Sequence, residues 1–117
     1  EDYSDAYHNR GIIYGIMGKY QIAIDDFNKA IKLKENYAEA YNNRGFTFYR
    51  MGQNKRAIED YNKSITCKPD YTDAYCNRAA YYFKYGHHQL GCLDSKKACE
   101  LGNCKILDAA KRIGYCF

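Results

Sequence analysis

One period governs this chain. Residues 3–36, 37–70 and 71–104 align block on block at an interval of 34, with no gaps. Tyr3, Tyr37 and Tyr71 open the blocks, and Asp5, Glu39 and Asp73 follow. Ala6-Tyr7, Ala40-Tyr41 and Ala74-Tyr75 come next, then Asn9-Arg10-Gly11, Asn43-Arg44-Gly45 and Asn77-Arg78-Ala79. Gly18, Gly52 and Gly86 recur at the same interval, as do Asp26, Asp60 and Asp94. A period of this length means that each block is one supersecondary unit. It cannot bury its apolar face alone, and about three must stack to make a core.

Each block reads as two helices. In the second, Ala40, Tyr41, Arg44, Gly45, Phe48 and Tyr49 recur at spacings of three and four, which is a helical stripe. Gly52 ends that helix, and Asn54 is placed to cap the next. Ala57, Ile58, Tyr61 and Ile65 form the second stripe, and Pro69 forces a break before the third block. Gly11 and Gly45 fall mid-helix, where glycine costs about 1 kcal/mol relative to alanine. Their recurrence implies crowding by a second helix, with Phe27 and Tyr61 filling the space beyond. Arg10, Arg44 and Arg78 each precede an aspartate, Asp26, Asp60 and Asp94, by 16 residues. That interval sets an arginine on the first helix against a carboxylate on the second, which predicts a bidentate ion pair within each hairpin.

These features resemble the tetratricopeptide repeat. The 34-residue period, the Ala-Tyr opening, the mid-helix glycine, the Tyr14/Phe48/Tyr82 and Ala23/Ala57 sets, Phe27/Tyr61, Ala30/Ala98 and Pro69 carry the resemblance, with Tyr7, Tyr41 and Tyr75 in place of the usual tryptophan. It covers residues 3 to about 104, and Gly91, Ser95 and Asn103 depart from the pattern. The resemblance implies an all-α, right-handed α-solenoid of antiparallel hairpins with about seven helices. Residues 1–117 form a single domain on this reading, closed by a capping helix over 105–117. It also implies a concave groove lined by the first helix of each repeat, with Asn9, Asn43, Asn77, His8, Asn42, Phe46, Tyr49 and Phe83 facing it.

Asparagine is an indifferent helix former, so three at one register point to a task. An amide offers both a donor and an acceptor and can pair with a peptide backbone whatever its side chains. This is similar to the asparagine ladders of peptide-binding repeat superhelices. The structural alternative, that each asparagine bonds the neighbouring repeat, stays open beside it. Repeat domains that hold the acidic tails of heat-shock chaperones use a Lys/Asn/Asn/Lys/Arg clamp. The matching positions here are His8, Ile12, Asn43, Asp73 and Asn77, and only Asn43 agrees. Chaperone-tail binding through such a clamp is therefore not expected.

The remaining chemistry is sparse. The net charge is +4 with both signs dispersed, and no lysine–arginine run marks a nucleic-acid surface. No stretch is apolar enough to enter a membrane and no signal peptide is evident, so a cytoplasmic location is the default reading. All six cysteines lie in the second half, none as a Cys-x-x-Cys pair, so no metal site is expected. A chain turning near Cys104 would bring Cys92 and Cys116 together as a disulfide; six reduced thiols are the other reading. No nucleophile–base set or phosphate loop is present, and neither catalysis nor a cofactor is expected. The sequence thus points to a scaffold that holds a peptide segment of a partner, or else to a spacer or self-association segment of a longer repeat protein.

Overall fold

The computed structural model describes residues 3–117. Among them the chain forms seven helices: α1 (Ser4–Ile16), α2 (Tyr20–Leu33), α3 (Ala38–Arg50), α4 (Asn54–Cys67), α5 (Thr72–Lys84), α6 (His88–Glu100) and α7 (Lys105–Arg112). The class is all-α, an array of helical hairpins, and one pair of helices falls in each block of 34. Contacts divide the chain into two compact units, Glu1–Pro69 and Asp70–Phe117.

The turns inside the hairpins share one design. Gly18, Gly52 and Gly86 adopt φ of +77°, +79° and +82°, a region that any Cβ disfavours. The next residue's N–H reaches back five positions: Lys19 to the Tyr14 carbonyl, Gln53 to Phe48 and His87 to Tyr82, at 2.8–2.9 Å. The glycine N–H bonds three positions back, completing a Schellman cap. Asn54 is not the cap of α4. It is the first helical residue, and Gln53 occupies the capping position without a side-chain capping bond. Before Pro69, Lys68 leaves the helix at φ −143°, ψ 88°, as the residue preceding proline prefers.

In the first unit, α1–α2 and α3–α4 are hairpins, and α2 packs against α3. The helices of each hairpin meet at the missing Cβ of a glycine. A Cβ on Gly11 would lie 2.8 Å from Phe27 Cε1, and one on Gly45 would lie 3.0 Å from Tyr61 Cδ1 and Asp60 Cβ. Phe27 and Tyr61 are each 1% exposed. Beside each glycine the guanidinium fork closes on the partner helix. Arg10 Nε and Nη2 donate to Asp26 at 2.8 Å, and Arg44 donates in the same way to Asp60 at 2.8 Å. The contact holds the Arg44 guanidinium above its ordinary pKa, while burial pushes the Asp60 carboxyl up against Arg44's pull. Tyr37 hydroxyl donates to Asp5 at 2.7 Å and ties the second repeat to the first.

In the second unit, Arg78 donates to Asp94 through Nε and Nη2 at 2.7 Å. Phe83 leans on α6, where a Cβ on Gly91 would come within 2.7 Å of its ring. Leu107, Ala110 and Cys116 are buried together, and Phe83, Cys92 and Cys99 pack on them. The closing helix is shorter than the 105–117 expected. It ends at Arg112, and Gly114 at φ +86° turns the tail back. Cys116 joins Cys92, with a Cα–Cα distance of 5.7 Å, and a second disulfide joins Cys99 to Cys104. Cys67 and Cys76 are thiols.

The two glycine contacts set a test. Alanine normally favours a helix by about 1 kcal/mol over glycine, yet Gly45→Ala is expected to destabilise the chain by about 1–3 kcal/mol, because Tyr61 and the α4 backbone must move. Arg44→Ala is expected to cost about 3 kcal/mol, since it leaves the Asp60 carboxylate buried without its partner. Arg10→Ala should cost less, because the Arg10 side chain is 54% exposed against 22% for Arg44. Urea unfolding of the three variants checks both orders; a Gly45→Ala protein as stable as wild type would show that the hairpin is not close-packed there.

Candidate functional site

The most developed depression of the first unit lies where α1 meets α3. It encloses about 410 Å³ and is lined by Gly11, Ile12, Gly15, Ile16, Tyr20, Phe27, Asn43, Phe46, Thr47 and Arg50. On α3 the contributing side chains follow the spacing 43, 46, 47 and 50, one stripe of a helix. Phe46 is 41% exposed; its ring stacks on Tyr49 at 6.1 Å, and the Arg50 guanidinium stands 5.9 Å from its centroid. The surface is therefore apolar at its floor and walls. Asn43 and Arg50 supply an amide and a cation around it, while Thr47 is buried and donates its hydroxyl to the Asn43 backbone carbonyl.

Gly15 explains why the depression is open. The residues at the same register of the second and third repeats are Tyr49 and Phe83. Only at Gly15 is the aromatic missing, and a Cβ there would meet nothing nearer than Thr47 Oγ1 at 3.8 Å. No steric reason for glycine exists at this point, in contrast to Gly11 and Gly45. Gly15 was the signal available in the sequence: a break in an otherwise aromatic register.

Of the eight residues expected to face a groove, Asn43 and Phe46 line the depression, and Tyr49 adjoins it through its stacking on Phe46. Asn9 is exposed on α1 and is not part of the lining. Asn42 is buried, at 3% exposure, and so is not available to a ligand. His8 is also buried, at 9%. Both belong to a stripe about 100° round the helix from the one that faces outward, so a shift of a single residue moved them from groove to interior. Asn77 and Phe83 belong to the second unit. Phe83 is committed to Gly91 and to the Tyr115 ring, 5.8 Å away, rather than to an open surface.

His8 organises the floor behind Asn43. Its ring lies 5.0 Å from Tyr37 and 5.9 Å from Phe27, and Asn43 Nδ2 stands 2.8 Å from His8 Nε2. A neutral imidazole can accept the amide proton there. Burial lowers the His8 pKa below its ordinary 6.5; Glu39 and Asp5 oppose this and Lys34 reinforces it. Asn43 thus links the second repeat to the first and also lines the depression. Among the described residues no group of three or more His, Cys, Asp or Glu side chains could hold a metal ion, and no helix is long and apolar enough to cross a membrane.

The depressed His8 value has a definite sign. Below about pH 6.5 the unfolded chain takes up a proton that the folded chain refuses, so stability falls as the solution is acidified. The His8→Gln variant should lose this part of the slope between about pH 6.5 and pH 5. Unfolding free energies measured across that window check it; parallel curves for variant and wild type would remove His8 as the cause.

Residues 13–52 match the family described as TPR repeat, and residues 38–71 match Tetratricopeptide repeat. No curated protein matches the chain. Among solved structures, the chain is similar to the first TPR of Spaghetti (RPAP3), bound to the HSP90 peptide SRMEEVD, at 23% identity and a TM-score of 0.86, over 97% of this chain and 92% of that one. It is similar to the Sgt2 TPR domain from Aspergillus fumigatus at 22% identity and a TM-score of 0.86, over 97% and 80% of the two chains. With MamA the identity is 32% and the TM-score 0.78, over 92% of this chain and 61% of that one. The two family matches together run from residue 13 to residue 71, and with the repeat pattern and the fold they make the chain a member of the tetratricopeptide-repeat family.

Proposed function

We propose that this protein-interaction module takes an extended peptide segment of a partner on the α1–α3 face, with a bulky apolar side chain seated in the depression at Gly15. The observation that carries the reading is the missing aromatic. A register that holds Tyr49 and Phe83 elsewhere holds Gly15 here, and the resulting space is walled by Ile12, Ile16 and Phe46. Asn43 pairs with the peptide backbone, and Arg50 at the rim favours an acidic residue next to the anchoring side chain. Asn9, Asn77, Tyr49 and Phe83 have supporting or structural parts in this reading. Repeats of this family are in general non-catalytic, and no catalytic role is assigned.

The similar RPAP3 domain is bound to a peptide ending in Glu-Glu-Val-Asp. The present chain is proposed not to hold such a tail by a carboxylate clamp. At the position of the first clamp lysine stands His8, whose ring is buried, disfavours charge and already engages Asn43. Asp73 stands where a second lysine is needed, and its carboxylate is exposed.

A peptide array probed with the chain tests the reading, together with Gly15→Tyr and Asn43→Ala. Gly15→Tyr is the cleaner variant, since the same residue type is accommodated at Tyr49 and a side chain at Gly15 starts from open space. Asn43→Ala also removes the partner of His8. The expected result is a family of bound peptides sharing an aromatic or large aliphatic residue beside an acidic one. Gly15→Tyr should weaken binding by at least about tenfold, or roughly 1.4 kcal/mol, with an unchanged circular dichroism spectrum. Equal binding by Gly15→Tyr would rule out the depression; a blank array with a folded protein would favour the spacer reading.

A further inference from the structure

His8 and Asn43 meet across the seam between the first two repeats. The His8 ring is held between Tyr37 at 5.0 Å and Phe27 at 5.9 Å, and Asn43 Nδ2 stands 2.8 Å from its Nε2. The ring also bonds the Glu39 backbone in the sense that stabilises an N–H, as a carbonyl acceptor does. A neutral imidazole carries one N–H. With that proton turned to Glu39, Nε2 is left to accept from Asn43 Nδ2. Among the described residues nothing donates to Asn43 Oδ1, and it is not one of their buried atoms without a partner, so it is open to solvent. The charged groups around the ring are Asp5 on α1, Glu39 on α3 and Lys34 between α2 and α3; α2 itself contributes the Phe27 ring. Asp5 is already engaged by the Tyr37 hydroxyl at 2.7 Å and by Lys34 Nζ at 3.7 Å. The register that holds His8 holds Asn42 and Cys76 in the later blocks, so only the first block has an imidazole there.

We infer that His8 is a positioning residue that sets the polarity of the Gly15 depression: while neutral it holds Asn43 Nδ2 and leaves Oδ1 to accept a backbone N–H of the bound segment, and when protonated it reverses the amide and the segment is released. The inference rests on the peptide reading of that depression. An imidazolium donates from both nitrogens, so Nε2–H and the Asn43 amide would meet as two donors at 2.8 Å. The ring is fixed between two aromatic rings, whereas the amide exchanges nitrogen for oxygen by a half-turn of its own plane. After the turn Oδ1 accepts from His8, and a peptide N–H at the depression meets another donor. Proton and segment therefore compete for one oxygen. Burial holds the His8 pKa below its ordinary value. Affinity is thus full above about pH 6.5 and falls as the solution is acidified through the His8 pKa. A single linked proton limits the fall to about tenfold per pH unit.

The full chain, isotopically labelled and free of ligand, is read first by nitrogen NMR. At about pH 7.5 His8 is expected to carry its proton on Nδ1 with Nε2 bare, and the Asn43 side-chain amide signals should move with the titration of His8 below about pH 6.5. An Nε2–H tautomer at neutral pH, or Asn43 signals blind to that titration, would overturn the inference. The binding probe is acetyl-Ala-Phe-Glu-Ala-amide, compared with the same peptide methylated on each backbone nitrogen in turn. One methylation should weaken binding by at least about tenfold at about pH 7.5 and by less at about pH 5.5, while the unmodified peptide weakens over the same range. In His8→Gln, whose side chain does not titrate, the affinity should be equal at the two pH values. A His8→Gln chain that keeps the wild-type pH dependence, or a peptide indifferent to every methylation, would also overturn the inference. If the peptide leaves the depression unshifted while the Asn43 amide turns with pH, the peptide reading fails by itself and the polarity switch at Asn43 stands.

Discussion

The closest approach between helices is the constraint on which the rest of this structure depends. At Gly11 and Gly45 there is no room for a methyl group, because an aromatic ring of the partner helix lies where it would be. A glycine in that position carries a helix-propensity cost of about 1 kcal/mol per site. The return is a hairpin whose two helices touch through a fully buried ring. Once that contact is fixed, the rotation of each helix is fixed with it. The stripe turned to the ring is interior, and the stripe about 100° away becomes the outward surface that carries Asn43, Phe46 and Arg50.

That rotation explains what was and was not legible in the sequence. The helix pairs and their turns followed from the period and from the recurring glycines, since each is a strong local signal repeated three times. The outward stripe needed an angular resolution that spacing alone does not provide. His8 and Asn42 sit one residue from Asn9 and Asn43, and that step is enough to bury them. Phe83 was misplaced for a different reason. The third repeat has Gly91 where the others have Ala23 and Ala57, and the extra room draws the ring onto α6. The end of α7 depended on Gly114, whose positive φ reverses the tail and brings Tyr115 within 3.8 Å of His88. A single glycine near a terminus has no repeat to average over.

Polar groups serve the seams between neighbouring repeats of the first unit as much as its surface. Asp5 accepts from the Tyr37 hydroxyl, Asn28 accepts from Arg44, and Asn43 engages His8. Each is a directional contact laid over an otherwise apolar interface of alanine, isoleucine and tyrosine. Apolar burial drives such an interface but tolerates sliding along the helix axis. Hydrogen bonds between fixed partners do not. The asparagine register therefore has a structural task at its second member, independent of any ligand.

The arginine–aspartate forks lie within hairpins and not between them. Each repeat consequently contains both halves of its own buried charge pair. A tandem duplication of 34 residues would add one cation and one anion already matched, leaving no unpaired charge in either the old copy or the new. Had the pair bridged successive repeats, every duplication or deletion would have stranded a carboxylate at one end of the array. Electrostatic closure within the unit makes the length of such a chain free to change by whole repeats over evolutionary time.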